Sequence, residues 1–280
     1  MITTDLYLLI TIVFIFSIVQ SIFGVGLLLF GTPTLLIFGY SYDITLWTIL
    51  PASILISFIQ IVGNYNLIDS KKNVLFYTLP TLILGLTIII SYEDVIDMKS
   101  IVGVALIFVG ILKISSYLNN KLIRLINNNT RFFYLFMGMV HGVSNMGGGP
   151  LSVLMSSVYK NKDTIKANIA FVYLLFCVSQ ILVLSILSPN SFQINGILLS
   201  LVALVSYAII GKPLSLKVSN QSYHSFISIF ILIINFTRVN IFDFILPNST
   251  IYSCHFYKTH AYSFVYYIIF IHDFYLYLLI

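Results

Sequence analysis

Apolar residues run through this chain in long blocks, interrupted by short polar or glycine-rich stretches. Such blocks lie at 6–23, 27–39, 44–63, 73–91, 100–118, 132–145, 150–159, 168–187, 193–210 and 222–241, with a further one at 261–280. A helix needs about 20 mostly apolar residues to cross a bilayer, and most of these blocks come close to that. Two pairs differ. The blocks 6–23 and 27–39 are parted only by Gly24-Val25-Gly26, and 132–145 and 150–159 by a stretch holding Gly147-Gly148-Gly149. The second member of each pair is too short to span alone. The pattern predicts an all-α polytopic membrane protein with two broken helical hairpins.

Composition supports that class. The chain has 280 residues, of which 59% are hydrophobic and 8% charged, against about 25% charged in soluble domains. A water-soluble fold of this length could not hide so much apolar surface. The net charge of +5 reads as positive-inside bias and not as a nucleic-acid surface. Cys177 and Cys254 lie far apart, with no CxxC pair. The start MITTD lacks a basic n-region and a small-residue cleavage site, so its apolar run reads as a retained membrane segment.

Loop charges orient the blocks. Lys71 and Lys72, then Lys121, Arg124 and Arg131, then Lys160, Lys162 and Lys166, then Lys212 and Lys217 form basic clusters. The loop with Glu93, Asp94, Asp97 and Lys99 is net acidic, and Ser188 to Gln193 is uncharged. If each glycine-linked pair enters and returns on one side, every basic cluster falls inside, and the other two loops fall outside. Each half is then one re-entrant hairpin plus three transmembrane helices. Three is odd, so the halves are two inverted repeats, a recurrent transporter plan with its site at the midplane. The divisions are 1–118 for the first repeat, 119–130 for a cytoplasmic linker, 131–242 for the second repeat and 243–280 for an aromatic-rich tail. A shift of 121 residues lays Gln20 on His141, Ser21 on Gly142, Gly24 on Asn145 and Gly26 on Gly147, and a shift of 120 lays Gln60 on Gln180. So few matches also arise by chance in a chain this rich in Ile and Leu.

Non-helical backbone inside lipid leaves N–H and C=O groups unsatisfied, each costing several kcal/mol, and is tolerated only around protein or a polar cavity. Gly147-Gly148-Gly149-Pro150 reads as a turn followed by a helix start, since proline's missing N–H costs nothing in a first turn. A helix start carries free donors and a positive dipole end, which suits anions. Gly24, Gly26 and Pro33 repeat the theme less cleanly. The candidate substrate-binding residues are Gln20, Ser21, Gly24 and Gly26 at one tip. At the other they are His141, Ser144, Asn145, Gly147, Gly148 and Gly149, with Gln60 and Gln180 as walls. All offer neutral hydrogen bonds. No Asp or Glu sits mid-span, which argues against cation transport. His141 either carries a proton, leaving coupling to a proton gradient open, or is structural. Gly103, Gly110, Gly138 and Gly142 read as helix-packing positions.

The run Gly138-x-x-x-Gly142-x-x-x-x-Gly147-Gly148-Gly149-Pro150, followed by the basic loop at Lys160 and Ala167, resembles the second-half signature of the sulfite exporter TauE/SafE family. The first-half signature is reduced here to Gly24, Gly26 and Pro33, with Leu27 and Leu28 where further glycines are usual. The resemblance covers about residues 7 to 242, including Gly211-Lys212-Pro213. It implies a multi-pass permease of the inner (plasma) membrane for small anions such as sulfite and sulfonates. The partners expected are the lipid bilayer and a small anionic substrate, with no nucleic acid, cofactor, metal or catalytic residue. In the tail, Cys254, His255, His260 and His272 match no strong ligand spacing. Two other classes compete: an intramembrane enzyme using His141 and Ser144, which lacks a third orienting group, and a scaffold, which needs no midplane polar residues. Oligomeric state is not legible.

Overall fold

The computed structural model describes residues 2–69, 71–93, 95–105, 129–220 and 222–223. The expected spans at 100–118 and 222–241, the linker at 119–130 and the tail at 243–280 lie mostly or wholly outside these. The described residues are helical, with no strand among them. The long helix α1 (Ile2–Phe23) breaks at 24–26 and is followed by the short α2 (Leu27–Ile37) and the long helices α3 (Tyr42–Val62) and α4 (Lys71–Ser91). A further helical run occupies 98–105. The succession then repeats: α5 (Thr130–Ser144), a break at 145–147, the short α6 (Gly148–Val158), and the long α7 (Lys162–Leu187) and α8 (Ile194–Lys217). Five of these helices, α1, α3, α4, α7 and α8, are long and apolar enough to cross a membrane.

Two boundaries differ from the sequence expectation. Helix α7 begins at Lys162 rather than at Asn168, because Asn161 caps it by accepting hydrogen bonds from the Asp163 and Thr164 N–H groups at 2.8 and 3.3 Å. The lysines that end the apolar pattern do not end the helix. Likewise α8 continues through Gly211-Lys212-Pro213 to Lys217 instead of stopping before Lys212. It does so by widening. The π turns at Leu27–Gly31, Val74–Thr78 and Tyr207–Gly211 each end two residues before a proline, at Pro33, Pro80 and Pro213. Proline lacks the N–H that would bond four residues back, and its ring collides with that carbonyl. A local i→i+5 turn makes room for it without ending the helix.

Helix α3 packs against α7 and α8, α4 against α5 and α7, and α1 against α8. Leu46, Ile49, Leu50, Ile169, Tyr173 and Phe176 are fully buried where these helices meet. In lipid the apolar effect does not hold helices together, and close packing must. The α4–α5 seam shows how. A Cβ on Gly138 would run into the Thr78 carbonyl and the Thr81 hydroxyl, and one on Gly142 into the Leu82 carbonyl. Thr81 also donates to the Leu135 carbonyl at 3.0 Å. Gly138 and Gly142 are thus packing positions, as expected. Gly142→Val pushes the two backbones apart, and the variant is expected to lose its monodisperse peak in size-exclusion chromatography.

The polar loops gather at two ends. At one, the Asn168 side chain accepts from Asp69 N–H at 3.0 Å and donates to the Leu67 carbonyl at 2.8 Å, joining α7 to the α3–α4 loop. The Lys162 ammonium donates to the carbonyls of Ser215 and Val218, and the Lys166 ammonium to the Ser215 hydroxyl. Arg131 lies 5.9 Å over the Tyr77 ring. Tyr159 sits here too, its phenol pKa raised by burial and then by the adjacent Asp69. At the other end, Glu93 accepts from Tyr42 N–H at 2.8 Å. Asp43 accepts from the Ser188 hydroxyl at 2.8 Å and from that of Ser191, and Trp47 Nε1–H donates to the Ser188 carbonyl at 3.2 Å. The described basic clusters therefore share one end, opposite the acidic loop and the Ser188 loop.

Candidate anion site at two helix breaks

The two breaks are built alike. Gly24 and Asn145 both take positive φ, +80° and +60°, and each closes its helix by donating its N–H four residues back, to the Gln20 carbonyl at 2.8 Å and the His141 carbonyl at 2.7 Å. A left-handed residue in this position ends an α-helix. Asparagine is among the few side chains that tolerate it. These are the pairs that the 121-residue shift superimposes. Each tip is also held by a glutamine from the next long helix. Gln60 of α3 donates to the carbonyls of Gln20 and Ser21 at 3.2 and 3.1 Å, and Gln180 of α7 donates to Asn145 Oδ1 at 3.1 Å.

The breaks meet on α7. A Cβ on Gly24 would lie 2.9 Å from the Ile169 side chain, and one on Gly148 would overlap the Tyr173 hydroxyl. Ile169 and Tyr173 are one helical turn apart, about 6 Å along the axis. Asn145 Nδ2 donates to Thr32 Oγ1 of α2 at 2.7 Å, linking the second tip to the first hairpin. From this meeting point the short helices diverge. Helix α6 runs to Tyr159 at the basic end, and α2 runs to Tyr40, whose pKa is raised by burial and then by Asp5 at the start of α1. The two short helices thus finish at opposite ends of the bundle.

Several expected site residues spend their polar groups on the hairpins themselves. Gln20 donates to Ser53 Oγ and Ser57 Oγ at 3.0 and 3.2 Å, and its Oε1 accepts from Leu27 N–H at 3.2 Å. Ser21 donates to the Ser17 carbonyl at 2.6 Å. Ser144 donates to the Val140 carbonyl at 2.7 Å and accepts from Met146 N–H. Of the three glycines, Gly149 donates to the Met146 carbonyl at 3.2 Å. A Cβ on Gly26 would press on the Gln20 backbone N at 2.5 Å, so this glycine serves close approach.

Gln60 Oε1 beside the first tip and the hydroxyls of Ser17, Tyr42, Thr45 and Thr78 are buried and unpaired among the described residues, and the largest group of this kind lies at the second tip. Among the described residues, the N–H groups of Gly147 and Gly148 find no acceptor. Among the same described residues, the Tyr173 hydroxyl is buried without a hydrogen-bond partner, and the His141 imidazole and Gln180 Oε1 are buried beside each other without a well-aligned bond. His141 stacks on Phe176 with centroids 4.1 Å apart, and Gly147 lies against the same imidazole. Leaving such groups unpaired costs about 1–3 kcal/mol each. Several such groups in one place fit a ligand that pairs with them. Most are donors, and they sit at the N-terminus of α6, where the helix dipole presents about half a positive charge. Such a place can hold an anion. The sequence reading did not single out Tyr173, nor Thr32, Ser53 and Ser57, which anchor the tips. Tyr173 stands on the face of α7 that also carries Gln180, seven residues on, and that spacing was its available signal.

Five helices long and apolar enough to span, with two broken ones whose polar tips meet inside the bundle, describe a multi-pass membrane protein. The chain belongs to the sulfite exporter TauE/SafE family, whose match extends over residues 9–237. No curated protein and no solved structure shows a comparable match.

Proposed function

We propose that the protein is a secondary transporter of the plasma (inner) membrane that exports small sulfur oxyanions, sulfite or organosulfonates, and is not an enzyme. The observation that carries this reading is the unpaired donor set at the second tip: the Gly147 and Gly148 N–H groups, His141 and the Tyr173 hydroxyl. Donors in that number, without a nucleophile-and-base pair beside them, suit binding and release of an oxyanion better than covalent chemistry. Residues 1–118 and 131–242 act as inverted repeats joined by the cytoplasmic linker 119–130. In support, the two hairpins return to opposite ends, and the basic loops share one of those ends. Alternating access then rocks one repeat against the other around the meeting point on α7. Asp43, Ser188 and Ser191 close the outer side, while Lys162, Lys166 and Ser215 close the cytoplasmic side.

The test is flux in proteoliposomes. Purified protein should carry sulfite or methanesulfonate down a gradient at a saturable rate above that of empty vesicles, and Gly148→Leu should abolish it. Folded wild-type protein that moves neither anion defeats the reading.

A further inference from the structure

We infer that the site takes singly charged oxyanions and rejects doubly charged ones, so that sulfite crosses as hydrogen sulfite and carries its own proton. The inference rests on the proposed transport function and deepens it.

The charge available at the site sets the limit. The buried polar residues of the described chain are serines, threonines, glutamines, asparagines and His141, with no Asp, Glu, Lys or Arg among them. What positive potential there is comes from backbone. Helices α2 and α6, eleven residues each, touch through the first turn of α2, and Gly24 before α2 and Gly148 at the start of α6 contact α7 one turn apart. Two such N-termini supply at most about one positive charge in total, and Gln20 Oε1 already takes the Leu27 N–H. The buried, unpartnered Tyr173 hydroxyl stands at Gly148 and adds a dipole there but no charge. A monoanion is matched by this field. A dianion is not, because the cost of taking an ion out of water grows with the square of its charge while its attraction to a fixed field grows only in proportion. The groups around the site that titrate are His141 from α5, Tyr173 and Cys177 from α7, and Tyr223, whose hydroxyl donates to the Phe23 carbonyl beside the first break at 2.9 Å. Helices α2 and α6 contain no titratable residue, and the acids, lysines and tyrosines of α3 and α4 lie at their ends, away from this depth. A proton needed for turnover thus has a simple carrier in the substrate.

Three anions in proteoliposomes test this, with the same pH on both sides and the leak of protein-free vesicles subtracted. Methanesulfonate and sulfate have nearly the same shape and differ in charge, and methanesulfonate stays a monoanion throughout. Below saturation, sulfite flux should fall about tenfold as pH rises from one unit below to one unit above its second ionisation, following the hydrogen sulfite fraction. Methanesulfonate flux should stay level over that range, which separates substrate protonation from titration of His141, and sulfate should not move. Sulfate carried as fast as methanesulfonate overturns the inference while leaving transport standing. So does sulfite flux that holds or rises with pH, or a methanesulfonate flux that falls in parallel with it. If neither sulfate nor methanesulfonate moves, the sulfite profile alone decides. If no anion moves at any pH, the transport reading fails first and the inference with it.

Discussion

Tyr173→Phe should melt at a higher temperature than the wild type and transport sulfite far more slowly. The hydroxyl is fully buried and donates to nothing among the described residues, so deleting it removes a desolvation penalty of about 1–3 kcal/mol and breaks no described bond. At roughly 2–4 °C per kcal/mol for a chain of this size, the midpoint should rise by several degrees. A hydrogen bond from this hydroxyl to a bound anion is charge-assisted and contributes about 1.5–3 kcal/mol, so its loss should lower flux by roughly 10- to 100-fold at limiting substrate. Opposite signs in the two measurements mark a group kept for a ligand. A purely structural tyrosine would lose stability on truncation, and a bystander would leave flux untouched. Thermal unfolding in detergent and proteoliposome flux, run on the same preparation, read both.

The all-helical, membrane-spanning class and the two breaks were legible because each has a local cause. Lengths of apolar sequence state how many helices can span, and Gly147-Gly148-Gly149-Pro150 cannot continue a helix in lipid without a reason. The grouping of the basic loops was legible too, since it depends only on which loops carry lysine. The extents of α7 and α8 were not. Lys162, Lys166, Lys212 and Lys217 end the apolar pattern, but lysine is a good helix former, and a π turn lets the helix pass Pro213. The candidate polar residues were found by type, and type does not say which way an amide points. Gln20 spends both ends of its amide on Ser53, Ser57 and the Leu27 N–H, whereas Gln60 and Gln180 each leave Oε1 unpaired. Tyr173 was hidden for a different reason. An aromatic residue in an apolar run reads as core, and only the contact with Gly148, 25 positions earlier, gives its hydroxyl a role.

The same contact yields a second large effect, and a coupled one. Gly148→Ala places a methyl group where the Tyr173 oxygen now lies. One of them must move, inside a region whose neighbours are fully buried, and overpacking of this kind typically costs about 1–3 kcal/mol. The variant should therefore unfold at a lower temperature, and its flux should fall with the tip displaced. Adding Tyr173→Phe removes the overlapping atom, and the ring carbon behind it stands 3.0 Å from the new methyl, a contact that a small shift of the ring relieves. Most of the lost stability should return in the double variant, so the two substitutions combine with a coupling energy above the roughly 0.3–0.5 kcal/mol expected of independent sites. Flux should not return with it, because the hydroxyl is gone and the methyl covers the Gly148 N–H. Stability restored without transport would place the glycine and the tyrosine in one pocket and assign that pocket to the anion. Strictly additive losses would mean that the two residues do not touch in the working protein, and would take the second hairpin tip out of the transport path.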